Sequence, residues 1–211
     1  MPAARESFGS MLPASWFQRD APVVGRELLN KVLVSRVPGD EVVAGRIIEV
    51  EAYTQDDPAS HTFGGPTPRN RVMFGPPGRL YVYLSYGIHH CANVVTAQDG
   101  VGQALLLRAV TPVHGIETIR LRRHGRPDRE LVDGPGKLCE AFAIDLGHYG
   151  TNLTDTHSPV TVIDDGMEPP STPVIGPRIG ISKGVETPWR FRVPAGRGRD
   201  GSVQRHWIQK P

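Results

Sequence analysis

Glu51, Tyr53, Asp56, Asp57 and His61 crowd into one short stretch, and Arg69-Asn70-Arg71 follows closely behind. A carboxylate, a phenol, an imidazole and guanidinium groups drawn to one loop can supply a general base together with contacts to a bound substrate. Glu51 taken alone reads as an ordinary surface or ion-paired carboxylate, as most glutamates are. Its company makes it the candidate base. A metal site is the competing use of these groups, and His89-His90-Cys91 points the same way. Adjacent strand residues face opposite sides, however, so the two histidines cannot serve one ion. The zinc signatures H-E-x-x-H and H-x-E with P-C-x-x-C are missing, and Cys91 and Cys139 form no C-x-x-C pair. The phosphate loop G-x-x-x-x-G-K-[ST], the dinucleotide fingerprint and G-x-S-x-G are absent too. No metal and no cofactor are expected.

Aromatic residues form the second group. Tyr81 and Tyr83 alternate along one strand face and Tyr86 stands at the turn that follows. A core stripe accounts for at least one of the first two, but Tyr86, next to Gly87, is harder to bury. An aromatic wedge on a tight hairpin can enter a base stack and hold the gap when a nucleotide swings out. Tyr53 and Tyr83 could then sandwich that base, with stacking worth roughly 1–3 kcal/mol.

The elements that must position these groups are short. Asp20 can cap a helix reaching about Asn30, and residues 31–37 and 42–53 around Pro38-Gly39-Asp40 read as a hairpin. On its second strand Ile48, Val50 and Ala52 should face the core, with Glu49, Glu51 and Tyr53 on the opposite side. Residues 54–78 form a long loop of the kind that carries function. Strands follow at 80–85, 88–95 and 103–110, helices at 115–123 and 136–144, and strands from Pro159, at 174–181 and at 189–193. With 211 residues, 38% apolar and 22% charged, the chain suits one compact domain, and its 24 glycines and 20 prolines rule out a helical bundle. Nothing approaches a membrane span, the N-terminus lacks a secretory apolar run, and two cysteines suit a reducing cytoplasm. Residues 61–130 hold nine Lys and Arg against four Asp and Glu, and residues 176–211 eight against two. If both segments share one face they would attract a polyanion; the cluster from Arg120 to Arg129 alone reads better as a solvated helix face.

Longer blocks carry a resemblance. GRIIEVEAYTQDDPASHTFGGPTPRNRVMF (45–74), PGRLYVYLSYGIHHCANVV (77–95), ALLLRAVTP (104–112), GPGKLCEAFAI (134–144) and GPRIGISKG (176–184) are similar to the alkyladenine (3-methyladenine, N-methylpurine) DNA glycosylases over most of residues 20–193. The resemblance implies an α+β single domain built on a curved antiparallel sheet with flanking short helices and a protruding β-hairpin. Residues 1–19 would be an N-terminal extension and 194–211 an Arg/Gly-rich tail. It implies a monomer that uses no metal and acts on double-stranded DNA containing a damaged purine, with no membrane partner, in the cytoplasm (at the nucleoid, or in a nucleus). Glu51 would activate water, with Arg108 holding both; Tyr53, His61 and Tyr83 would line the purine pocket; Asn93 would sit at the purine edge. Tyr86 would intercalate, and Arg69, Asn70, Arg71 and Met73 would contact DNA. Two other classes compete: a non-catalytic nucleic-acid-binding module, for which a carboxylate in an anion-binding groove is out of place, and an enzyme acting on a free nucleoside, for which Tyr86 and the basic segments are superfluous.

Overall fold

The structure, a computed structural model, describes residues 8–37, 39–197 and 203–204. Residues 1–7 of the expected extension, and most of the expected tail, lie outside the described residues. The chain order is β1 (Ser10–Met11), α1 (Ala14–Phe17), α2 (Ala21–Leu28), β2 (Val32–Ser35), β3 (Val43–Tyr53), β4 (Leu80–Ser85), β5 (His89–Val95), β6 (Ala104–His114), α3 (Ile116–Arg122), α4 (Pro135–Ala141), β7 (Val160–Asp164), β8 (Val174–Gly176) and β9 (Arg190–Arg192), with a small β10–β11 pair (Gly196–Arg197, Val203–Gln204). A curled antiparallel sheet runs β1-β7-β2-β3-β6-β5-β4, and β9 joins β3 and β8. The expected α+β class and single curved sheet are found.

One face of the sheet carries the main core. Ile47, Val50 and Ala52 of β3 and Leu105 and Leu107 of β6 meet Val24 and Leu28 of α2, Phe17, and Leu138 and Phe142 at α4. Helix α2 starts where expected, but Asp20 does not cap it with its side chain. Gln103 does so instead: its Oε1 accepts the Ala21 N–H at 2.8 Å while its Nε2 donates to Asp20. This long-range cap ties the helix to the strand it packs on, a partner no local pattern reveals.

Strand β3 departs from strict alternation at Ile48. Ile47, not Ile48, is fully buried, because the register slips between Ile47 and Glu49. A bulge adds one residue to one strand and flips everything beyond it. Here it coincides with a change of partner: β2 pairs with Val43–Arg46, and β9 with Glu49–Glu51. After the bulge Val50 and Ala52 face the core, and Glu49, Glu51 and Tyr53 face the other way, as expected. The strand expected over 174–181 closes early, at Gly176. Two prolines and two glycines lie between Pro173 and Gly180, and freed of the ladder, this segment crosses toward the opposite face of β3.

Candidate functional site

Register places the site. Arg190 of β9, Glu51 of β3, Leu106 of β6, Asn93 of β5 and Tyr81 of β4 are successive cross-strand partners. Directly opposite residues share a face of a sheet, so five side chains distant in sequence form one row. The neighbouring positions Tyr53, Tyr83 and Arg108 stand on the same face. Above them lies a cavity of about 470 Å³, walled by Tyr53, His61, Tyr83, Asn93 and Arg108, with Arg69, Met73 and Tyr86 at its lining as well. That is within the usual range of about 300–1,000 Å³ for a small-ligand pocket.

Glu51 has no exposed surface. Its Oε2 accepts from the Tyr53 hydroxyl at 2.9 Å and from Arg108 Nη1 at 3.2 Å, and its Oε1 accepts the Ile179 backbone N–H at 2.7 Å. All three donors line the cavity, so the carboxylate lies just behind its wall. Arg108 also donates through Nε to Glu49 at 3.0 Å, and Arg190 donates to the same Glu49 oxygen at 2.7 Å. Arg190, Glu49, Arg108 and Glu51 thus form a chain of alternating charge. Each charge removed from water finds a partner of opposite sign, which such burial requires. Burial, and then the Glu51 charge, push the Tyr53 phenol well above its ordinary pKa, so it stays a donor.

The aromatic wall is built from edge-to-face and offset contacts. His61 packs edge-on to Tyr83 with ring centroids 4.5 Å apart, and Tyr83 stacks on Tyr81 at 5.5 Å. The Arg69 guanidinium lies over the Tyr83 ring, 5.6 Å from its centroid. Partial burial and the Arg69 charge lower the His61 pKa, which favours the neutral imidazole. Burial raises the Cys91 thiol beside Tyr83, so the sulfur is a packed thiol there.

At the hairpin tip Tyr86 is 90% exposed and takes φ +51°, followed by Gly87 at φ +71°. Two left-handed residues in succession make the tight turn that the strand twist favours. For a tyrosine that conformation costs roughly 1–2 kcal/mol. Ile88 beside it is also largely exposed.

The remaining expected residues lie elsewhere in the loop. Asn70 is 3% exposed, and its amide is spent inside the loop: Oδ1 accepts from Thr67, and Nδ2 donates to the carbonyls of His61 and Gly65. Met73, 2% exposed, packs with Tyr81, Val95 and Ala104. Arg71 is exposed and stands away from the cavity lining. Four of the five arginines from 120 to 129 are engaged with acids: Arg120 with Glu117 and Asp128, Arg122 with Asp40, Arg123 with Glu140, Arg129 with Glu130.

Sequence reasoning missed Glu49, Arg190 and above all Arg178. The Arg178 side chain is fully buried, ion-paired with Asp57, and bonded to the Ala52 and Gly184 carbonyls. Its guanidinium lies between the Tyr53 ring at 4.7 Å and the Trp189 ring at 5.5 Å. It thereby anchors the segment whose next residue, Ile179, offers its N–H to Glu51. The only hint in the sequence was its place in GPRIGISKG.

Comparison with known proteins agrees with the resemblance. A family model described as methylpurine-DNA glycosylase matches residues 15–197. The chain belongs to the methylpurine-DNA glycosylase family. It is 45% identical over 199 residues to a Burkholderia cenocepacia protein, covering 93% of this chain and 94% of that one. It is 45% identical over 183 residues to a Carboxydothermus hydrogenoformans protein, with 86% and 94% covered, and 44% identical over 195 residues to one from Rhodopseudomonas palustris, with 92% of each covered. All three relatives are provisionally named 3-methyladenine DNA glycosylase. As a family member the chain is expected to act on N-glycosidic bonds of damaged bases, and among its described residues no helix is long and apolar enough to cross a membrane.

Proposed function

We propose that the protein is a monomeric, monofunctional DNA glycosylase that extrudes alkylated or deaminated purines from duplex DNA and hydrolyses their N-glycosidic bond, opening base excision repair. The observation that carries this is the buried Glu51 carboxylate behind an aromatic cavity whose rim bears an exposed, strained tyrosine. Tyr86 enters the base stack and fills the gap, and the purine turns into the cavity against Tyr53, His61 and Tyr83. Unstacking costs a few kcal/mol and least for damaged pairs, which adds selection before chemistry.

A carboxylate offers about four lone-pair sites. Tyr53, Arg108 and the Ile179 N–H take three, which leaves one for the attacking water. Glu51 draws the water proton as attack at C1′ begins, and its charge stabilises the cationic sugar in the transition state. Arg108 and the Ile179 N–H hold the carboxylate in place throughout. A cationic purine gains from the electron-rich rings around it, and the neutral His61 does not repel it. Asn93, whose Nδ2 donates to the Tyr81 carbonyl at 3.2 Å, holds a fixed amide at the cavity edge where a guanine amino group would clash. No lysine stands at the position of Glu51, so no Schiff base with the sugar forms and the strand stays intact.

Glu51→Gln keeps the shape of the side chain and removes its basicity. Lesion-bearing duplex should still bind, while single-turnover release of hypoxanthine and 3-methyladenine disappears. Release near the wild-type rate would sink the assignment.

A further inference from the structure

The Tyr81 side chain lies behind the cavity wall, 1% exposed, with its hydroxyl oxygen 2.9 Å from Nδ1 of His61. The Arg69 guanidinium at that hydroxyl has donors and no acceptor, and the oxygen of the neighbouring Tyr149 phenol already accepts the Val72 N–H. A buried phenol hydrogen without an acceptor is costly, and among the described residues Nδ1 of His61 is the acceptor this one meets. The hydroxyl therefore donates to Nδ1. A neutral imidazole carries one proton, so that proton sits on Nε2. His61, tied to Tyr81 through Nδ1, is itself exposed and lines the cavity.

We propose that Tyr81 is a positioning residue that locks His61 in the Nε2–H tautomer, so that the cavity presents a neutral hydrogen-bond donor to an acceptor nitrogen of the extruded purine. The proposal rests on the glycosylase reading above and deepens it by assigning how neutral lesions are handled. When the glycosidic bond breaks, its electron pair passes into the purine. A neutral purine such as hypoxanthine leaves with negative charge on its ring nitrogens, and a donor already aimed there stabilises that charge without reorganising. A neutral imidazole serving as electrophile is an established pattern in other enzymes. An alkylated purine begins as a cation and leaves neutral, so the same donor adds little. Protonated His61 would donate more strongly but would repel the cationic lesions. The tautomer lock lets one pocket accept both classes.

Tyr81→Phe removes one oxygen and keeps the ring that stacks on Tyr83. Single-turnover release of hypoxanthine should fall roughly 10- to 100-fold, less than the roughly 10²–10³-fold that removal of a fixed transition-state donor costs, because the donor is left in place but only partly in the right tautomer. Release of 3-methyladenine, a cationic lesion without the guanine amino group, should change less than about twofold. In ¹⁵N NMR of the DNA-free protein, the wild-type His61 should carry its proton on Nε2, and the variant should show a mixture of tautomers. Equal losses on both lesions, or no loss on either, would overturn the proposal, as would a wild-type proton on Nδ1. A wild-type protein that releases neither base would overturn the glycosylase reading itself. The tautomer measurement needs no activity and separates that failure from this one.

Discussion

Arg178 shows how a site residue can act without touching substrate. It is buried with Asp57, and it holds both the ring of Tyr53 and the segment that delivers the Ile179 N–H to Glu51. Removing one partner of a buried ion pair strands the other charge, at a cost of about 3–5 kcal/mol. Arg178→Met should therefore lower unfolding stability by about that amount in urea titration, and Arg178→Met with Asp57→Asn should recover part of it. If the single variant unfolds like wild type, the pair is not a structural anchor. Glu51 and Tyr53 were legible from residue type and spacing because chemistry-bearing side chains were concentrated in one stretch. Arg178 was not, since its partner Asp57 lies far away in sequence and nothing local distinguishes one arginine from another.

At the scale of elements, the β4–β5 hairpin and the bulged strand β3 set the geometry. Tyr86 at φ +51° stores strain that glycine would not feel. Tyr86→Gly should leave the protein as stable as wild type or more stable by about 1 kcal/mol, while fluorescence from a flipped base analogue drops sharply. A loss of stability would show that the ring packs in the folded protein, and an undiminished signal would remove the wedge. The hairpin was readable because two alternating strands flank a Tyr-Gly turn. The bulge at Ile48 was not: the alternation of VAGRIIEVEAY is compatible with either isoleucine facing inward, and the choice falls to β2 and β9, which pair with different halves of β3.

Across the whole molecule, charge tallied along the chain misleads unless pairing is known. Arg120, Arg122, Arg123 and Arg129 are neutralised by Asp40, Glu117, Asp128, Glu130 and Glu140, whereas Arg69 is exposed at the cavity rim. Each phosphate contact contributes about one unit to the slope of log affinity against log salt. Arg69→Ala should flatten that slope by about 1 for a lesion-bearing duplex, and Arg120→Ala should leave it within about 0.3. A larger change for Arg120 would place the DNA on the α3 side of the sheet.

Chemical type, strand alternation and turn residues are local properties, and they were enough to mark a strand-dominated chain with a long loop, a hairpin with Tyr86 at its turn and Glu51 as the candidate base. Ordered blocks of sequence carried the family. The cross-strand row from Arg190 to Tyr81, the Gln103 cap, the Arg178 anchor and the partner of His61 were decided only by the fold. Each depends on which distant strands lie side by side, and that is settled by how the entire core packs.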